Sequence, residues 1–124
     1  MSNSIPRPDP IESVSSDVIY NYHAHINFDP DARDTAVALR EEIGKRFDVM
    51  LGRVWDMPVG PHLKPMFQVS FTPAQFADFV PWLMVNHHGL AIFIHPETGD
   101  EVADHRDNAM WINEKLGVNL EGLK

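Results

Sequence analysis

The stretch Tyr20-Asn21-Tyr22-His23-Ala24-His25-Ile26-Asn27-Phe28 alternates between two kinds of side chain. Every second residue is aromatic or aliphatic, and the residues between them are only asparagine and histidine. Successive side chains of a β-strand point to opposite faces of a sheet, so this alternation predicts a half-buried strand. The polar face of such a strand is suited to line a site, because it contributes nothing to an apolar core.

The segments that follow predict two helices. The first begins at Asp29-Pro30, an N-cap followed by proline at the first helical position, and its apolar residues recur at helical spacing up to Phe47. The second begins at Thr72-Pro73-Ala74-Gln75, which has the form of a capping box. Pro81 lies inside this second helix and predicts either a kink or a break there.

Three further strands are predicted at residues 49–55, 66–71 and 90–95, with a proline-rich connection at 57–65. The resulting order is strand, helix, strand, strand, helix, strand. It predicts an α+β fold, namely a ferredoxin-like βαββαβ antiparallel sheet with strand order 4-1-3-2 and helices on one face. The uncovered face predicts a homodimer, in the form of a dimeric α+β barrel.

A short C-terminal helix is also expected. Asp104 is its candidate cap and Gly117 its stop, with Ala109, Ile112 and Leu116 on its apolar side. Residues 1–17 are rich in serine, proline and aspartate and are interpreted as a flexible N-terminal leader, so that residues 18–124 form a single domain.

Composition and charge argue against several classes of function. The 124 residues carry a net charge of −8, which disfavours binding to nucleic acid or to an anionic membrane. No apolar run is long enough to span a membrane, and residues 1–10 do not resemble a signal peptide, so a cytoplasmic location is expected. Seven histidines and no cysteine indicate nitrogen and oxygen chemistry, not thiol chemistry.

Five of the histidines lie at the borders of predicted strands. His23 and His25 share one strand face and are spaced to converge on one metal ion. His62 follows Gly60-Pro61, where a third ligand or an acid–base group could reach His25. In simple strand pairing, His95 lies nearer than His25 does to the start of the first strand. This displacement argues against a single ion bound by all of these histidines within one subunit. His95 and His105 would then face the substrate or reach a site across a dimer interface.

Other residues are candidates for contacts to a ligand. Asn27, Gln68 and Phe93 fall on the same predicted face as the histidines. Three acids lie in turns near the fourth strand, and any one of them is a candidate carboxylate ligand: Glu97, Glu101 and Asp104. Tyr22 and Trp55 are possible aromatic walls. The adjacent His87-His88 pair ends the second helix, where cations suit the helix dipole.

Three motifs together resemble the DOPA 4,5-dioxygenase family of fungi and bacteria. They are Tyr22 to Phe28, Pro58-Val59-Gly60-Pro61-His62, and Leu90 to Asp100 followed by Asp104-His105. The resemblance runs from about residue 20 to residue 120. It implies a small ferredoxin-like domain that cleaves a catechol ring at non-haem Fe(II), with histidine positions at His25, His62, His95 and His105 and with His23 beside them. Asn27 stands where the family usually has tyrosine, a difference expected to affect substrate choice.

The sequence is therefore interpreted as an extradiol dioxygenase that uses O₂ and Fe(II) on DOPA or a related catechol. Metal ligands are assigned to His23, His25 and His95, catalysis to His62 and His105, and substrate binding to Asn27, Gln68 and Phe93. Two alternatives remain. One is a non-catalytic small-molecule or metal-binding dimer of the same fold, and the other is a cofactor-free oxygenase or isomerase.

Overall fold

The structure is a computed structural model that describes residue 6 and residues 10–123. Its elements are the strands β1 (Asn21–Asn27), β2 (Met50–Leu51), β3 (Met66–Phe71), β4 (Ala91–Glu97) and β5 (Met110–Ile112), and the helices α1 (Arg33–Arg46), α2 (Pro73–Val85) and α3 (Glu101–Arg106). Residues 1–5 and 7–9 of the predicted leader lie outside the described residues, and the flexibility of the leader stays a prediction. None of the described helices has the length and hydropathy needed to cross a membrane.

The strands form one antiparallel sheet in the order β2-β3-β1-β4-β5. The first four strands thus have the predicted ferredoxin-like order, and the α+β fold is confirmed. In the register of the sheet, His23 pairs with His95 and His25 pairs with Phe93 across β1 and β4. His25 also pairs with Gln68 across β1 and β3. The central strand β1 therefore presents its histidines between β3 and β4.

The hydrophobic core lies between the sheet and helices α1 and α2. Ala24 and Ile26 point from β1 into this core and are fully buried. The helices contribute the buried side chains Ala36, Leu39, Ile43, Phe79, Val80 and Leu83. Because alternate residues of a strand face opposite ways, burial of Ala24 and Ile26 directs the histidines of β1 to the other face.

Two helix and strand predictions need adjustment. Helix α2 is not broken in two at Pro81, whose ring is exposed and lies away from the core contacts of the helix. The Gln75 side chain accepts a hydrogen bond from the backbone N–H of Thr72 at 2.9 Å, as a capping box requires. The predicted strand 49–55 is reduced to β2, with Trp55 making only an isolated bridge to Met66.

The predicted C-terminal helix is wrong. Helix α3 ends at Arg106 and is capped by Asp100, which accepts a hydrogen bond from the backbone N–H of Ala103 at 3.1 Å. Residues 110–112 instead form β5, which pairs with β4. The helical spacing of apolar residues in this segment is outweighed by the unpaired edge of β4, which offers backbone hydrogen bonds that a helix here would leave unused.

Candidate metal centre and active site

Four imidazole rings form a row on the sheet face opposite the core. Ring centroids are separated by 3.9 Å for His62 and His25, 5.2 Å for His25 and His95, and 4.0 Å for His95 and His105. The inner two rings come from β1 and β4, and the outer two come from the loop before β3 and from α3. His23 lies beside the row, with its ring perpendicular to those of its two neighbours on the sheet.

The register explains why the inner rings meet. His95 is paired with His23 and is displaced along the strand from His25, as the sequence predicted. The expectation that this displacement separates His25 from His95 is wrong, because diagonal neighbours on one face of a sheet lie within reach of long side chains. Their Nε2 atoms are 3.1 Å apart within one chain.

Backbone carbonyls hold the orientation of two of the rings. Nδ1 of His95 lies 2.9 Å from the carbonyl oxygen of Pro96, and Nδ1 of His105 lies 2.7 Å from that of Glu101. A nitrogen that faces a carbonyl oxygen must donate, so in the neutral rings the proton is on Nδ1 and Nε2 carries the lone pair. Histidine ligands of metals usually donate their second nitrogen in this way.

The nitrogen atoms fit a bound metal ion. One ligand atom from each of His23, His25 and His95 can be chosen so that all lie within 4.8 Å of one another. Two imidazole nitrogens bound at about 2.1 Å and roughly at right angles would lie about 3 Å apart, close to the observed separation of the His25 and His95 Nε2 atoms. In the described part of the chain, two buried side-chain nitrogens lack a hydrogen-bond partner, Nδ1 of His25 and Nδ1 of His62. These two atoms are not the facing Nε2 atoms, so the observation that fits a bound ion is the close approach of the His25 and His95 Nε2 atoms.

Burial keeps the imidazoles of His25, His62 and His95 neutral. It lowers the pKa of His62 to about 4 and that of His95 to about 3. The pKa of His25 also lies well below its ordinary value because of burial, with further lowering by His62 and His95. Neutral imidazole is the form that binds a metal and the form that accepts a proton. At neutral pH these rings are therefore in the form that can bind a metal ion or accept a proton.

His23 differs from the others because it meets a carboxylate. Burial lowers the pKa of His23, and the nearby charge of Glu97 opposes that effect. Oε1 of Glu97 lies 2.5 Å from Nε2 of His23 and accepts a hydrogen bond from Asn21 at 2.9 Å, while Tyr20 donates to Oε2 at 3.3 Å. Of the three candidate acids, Glu97 is therefore the one that contacts a histidine of the metal cluster.

We expect Glu97→Gln to weaken metal binding without unfolding the chain. The carboxylate positions His23, and loss of such an outer partner typically costs about 10–100-fold in metal affinity. Competition with a chromophoric chelator measures this change, and Glu101→Gln is the matched control on an exposed acid of the same cleft. Equal affinities for the two variants would contradict a positioning role for Glu97.

The histidines line a cleft of about 460 Å³, called here the histidine cleft. Its lining consists of Tyr20, His23, His25, Trp55, Val59, Gly60, Pro61, His62, Met66, Gln68, His95, Glu97, Gly99, Glu101, Asp104, His105 and Leu123. Asn119 donates its backbone N–H to the carbonyl oxygen of Pro61 at 2.8 Å, so the C-terminal segment is fastened to the loop that carries His62. A larger cleft of about 710 Å³, lined by Tyr22 and Phe76 among others, contains no histidine.

Not every predicted site residue lies in the histidine cleft. Gln68 does, but the amide of Asn27 donates to the backbone carbonyls of His25 and Ala91 and lies outside the lining. Phe93 is buried beneath the row of rings and reaches a neighbouring cleft instead. Asp104 is buried and accepts hydrogen bonds from the backbone and hydroxyl of Thr98 at 2.8 and 2.7 Å, an arrangement that stabilises the turn before α3.

The sequence analysis missed one contribution to the site. The segment after β5 supplies Leu123 to the histidine cleft, although this region was expected to be helical only up to Gly117. The apolar residues Val118, Leu120 and Leu123 were a signal that this segment packs against the domain.

Comparisons with known proteins agree with this fold. A crystal structure of a "putative dioxygenase" from Nostoc punctiforme superposes with a TM-score of 0.86 at 49% identity, covering 88% of this chain and 95% of that one. An uncharacterized 21.2 kDa protein of Botryotinia fuckeliana is 36% identical over 86% of this chain, and a DOPA 4,5-dioxygenase of Amanita muscaria is 29% identical over 91% of it.

The chain spans 62% and 54% of the lengths of these two fungal relatives. The model of the Dopa 4,5-dioxygenase family matches residues 22–122, which include all five histidines of the site. That match covers nearly the whole described domain, from β1 to the segment that closes the histidine cleft. The chain therefore belongs to the Dopa 4,5-dioxygenase family.

Proposed function

We propose that this protein is an extradiol dioxygenase that opens the ring of DOPA or a related catechol at a histidine-bound non-haem Fe(II). The observation that carries this proposal is the cluster of half-buried His23 with buried His25 and His95, with the rings of His62 and His105 in tilted contact at its ends. Its occurrence in a member of the Dopa 4,5-dioxygenase family supports the reaction class.

The three clustered histidines would hold the ion as neutral nitrogen ligands. A bound Fe(II) with open coordination positions would bring catechol oxygens and O₂ together, as in oxygenases that use few protein ligands. Glu97 would orient His23 through the contact described above. A ligand set of this size leaves space at the metal for a substrate that binds through two neighbouring oxygens.

His62 and His105 are the proposed acid–base residues. Each lies in tilted contact with one of the inner histidines and lines the histidine cleft, so each can approach a catechol hydroxyl placed there. Either can accept a proton from the catechol as it binds and, once protonated, can return that proton to a departing oxygen. Gln68 and Trp55, which line the same cleft, are proposed to contact the ring.

Oxygen uptake tests the proposal directly. The protein is loaded anaerobically with Fe(II), mixed with L-DOPA and exposed to air while oxygen and the visible absorbance are recorded. We expect equimolar uptake of oxygen and a yellow ring-opened product, both abolished by removal of the metal with a chelator. Turnover that survives the chelator would favour cofactor-free chemistry. Bound iron without oxygen uptake for any catechol would favour a non-catalytic binding protein.

The homodimer and the cytoplasmic location remain predictions. In the fold, the sheet face opposite α1 and α2 carries the histidine cleft. A dimer formed through this face would add partner atoms close to the site, and light scattering coupled to size-exclusion chromatography would detect it.

A further inference from the structure

A second cleft of about 410 Å³ adjoins the histidine cleft at His105. We call it the Lys115 cleft, and its lining consists of Phe93, His105, Arg106, Ala109, Met110, Trp111, Lys115, Gly117, Val118 and Leu120. His105 lines both clefts. A ligand that reaches from the histidine cleft into the Lys115 cleft would have to pass His105.

The side of the Lys115 cleft next to the shared His105 is aromatic. The Phe93 ring lies 6.1 Å from that of His105 and 4.6 Å from that of Trp111, measured between centroids. The remaining lining is mostly aliphatic. Such a surface suits a short apolar linker that leaves an aromatic ring.

Charge distinguishes the two clefts. Three acids line the histidine cleft, Glu97, Glu101 and Asp104, whereas the described lining of the Lys115 cleft holds no acid and two cations. Arg106 is already paired with Asp107 through contacts of 2.8 and 2.9 Å. Lys115 takes part in no ion pair within the described part of the chain. Lys115 is exposed and is therefore the lining cation that is left available to an anionic ligand.

We propose that the Lys115 cleft binds the carboxylate of a substrate whose catechol ring lies in the histidine cleft. The substrates would then be catechols that carry a carboxylate on a short aliphatic chain, and Lys115 would determine that specificity. This inference rests on the proposed function for the position of the ring. A charge-assisted hydrogen bond of this kind, partly exposed to water, is expected to contribute about tenfold in affinity.

Binding under anaerobic conditions tests the inference without turnover. The Fe(II)-loaded protein is titrated calorimetrically with 3-(3,4-dihydroxyphenyl)propionate and with 4-methylcatechol, which lacks the carboxylate. We expect the wild type to bind the acid about tenfold more tightly. Lys115→Met should remove this preference while leaving the affinity for 4-methylcatechol within twofold, and Lys115→Arg should retain it. Lys45→Met, at an exposed position of α1, is the matched control for loss of one positive charge.

The outcomes separate the two proposals. Equal affinities for both catechols in the wild type, or a preference that persists in Lys115→Met, would overturn the assignment of the Lys115 cleft. The wild type is also exposed to air with 4-methylcatechol, which needs no contact to Lys115. Absence of oxygen uptake with both catechols would contradict the proposed function, whereas a Lys115-dependent preference in binding would still support the anion subsite.

Discussion

His25→Ala is expected to abolish tight binding of Fe(II) and, with it, ring cleavage. His25 lies at the centre of the row of rings, 3.1 Å from His95 between Nε2 atoms, and it is 3% exposed. Loss of an outer partner of a ligand costs about 10–100-fold in metal affinity, so loss of a ligand should cost at least about 100-fold. Anaerobic titration with Fe(II) and the rate of oxygen uptake with L-DOPA measure the two effects.

Because the replacement creates a cavity in a buried region, folding must be measured separately. Far-ultraviolet circular dichroism and thermal unfolding establish whether the variant is folded, and His95→Ala provides a second removal from the same cluster. His88→Asn is the matched control. It removes an exposed histidine outside the cleft, and asparagine tolerates the positive φ of 53° at this position. A folded His25→Ala protein that binds and cleaves like the wild type would contradict the proposed centre.

His62→Gln is expected to lower kcat by about 10²–10⁴-fold while Fe(II) affinity changes by less than twofold, the effect expected for loss of a general acid–base group. Burial lowers the pKa of His62 to about 4, so at pH 7 the ring is neutral and able to accept a proton. The ring lies 3.9 Å from that of His25 between centroids but does not belong to the cluster of three candidate ligands. Glutamine keeps much of the volume but cannot exchange a proton near neutral pH.

Comparing kcat with the affinity for Fe(II) distinguishes the two roles that the sequence left open for His62, metal ligand and acid–base residue. Parallel loss of iron affinity and of kcat would identify His62 as a metal ligand instead of an acid–base residue. An unchanged kcat would exclude both roles. His105→Gln, measured in the same way, tests the second acid–base assignment. Asn27→Ala tests whether a residue outside the lining of the histidine cleft affects catalysis.

Local patterns predicted most of the sheet and both long helices. The alternation in β1 is preserved because Ala24 and Ile26 must be buried, and that requirement places His23 and His25 together on the opposite face. The segment of residues 110–112 was wrongly predicted as part of a helix, because a strand of three residues is too short to show a clear alternation. Pairing with β4, a contact between distant parts of the sequence, decided their conformation.

The sequence by itself determined the order of the first four strands, the face that carries the histidines and the types of ligand available, because these follow from side-chain periodicity and residue chemistry. Only the tertiary structure decided which nitrogens meet. The diagonal contact of His25 with His95, the approach of His62 and the return of His105 on α3 depend on register and loop paths. The same holds for Asn27, which shares the face but bonds to the backbone. Periodicity specifies a direction for each side chain, whereas a binding site requires distances, and these are set by the packing of segments far apart in the chain.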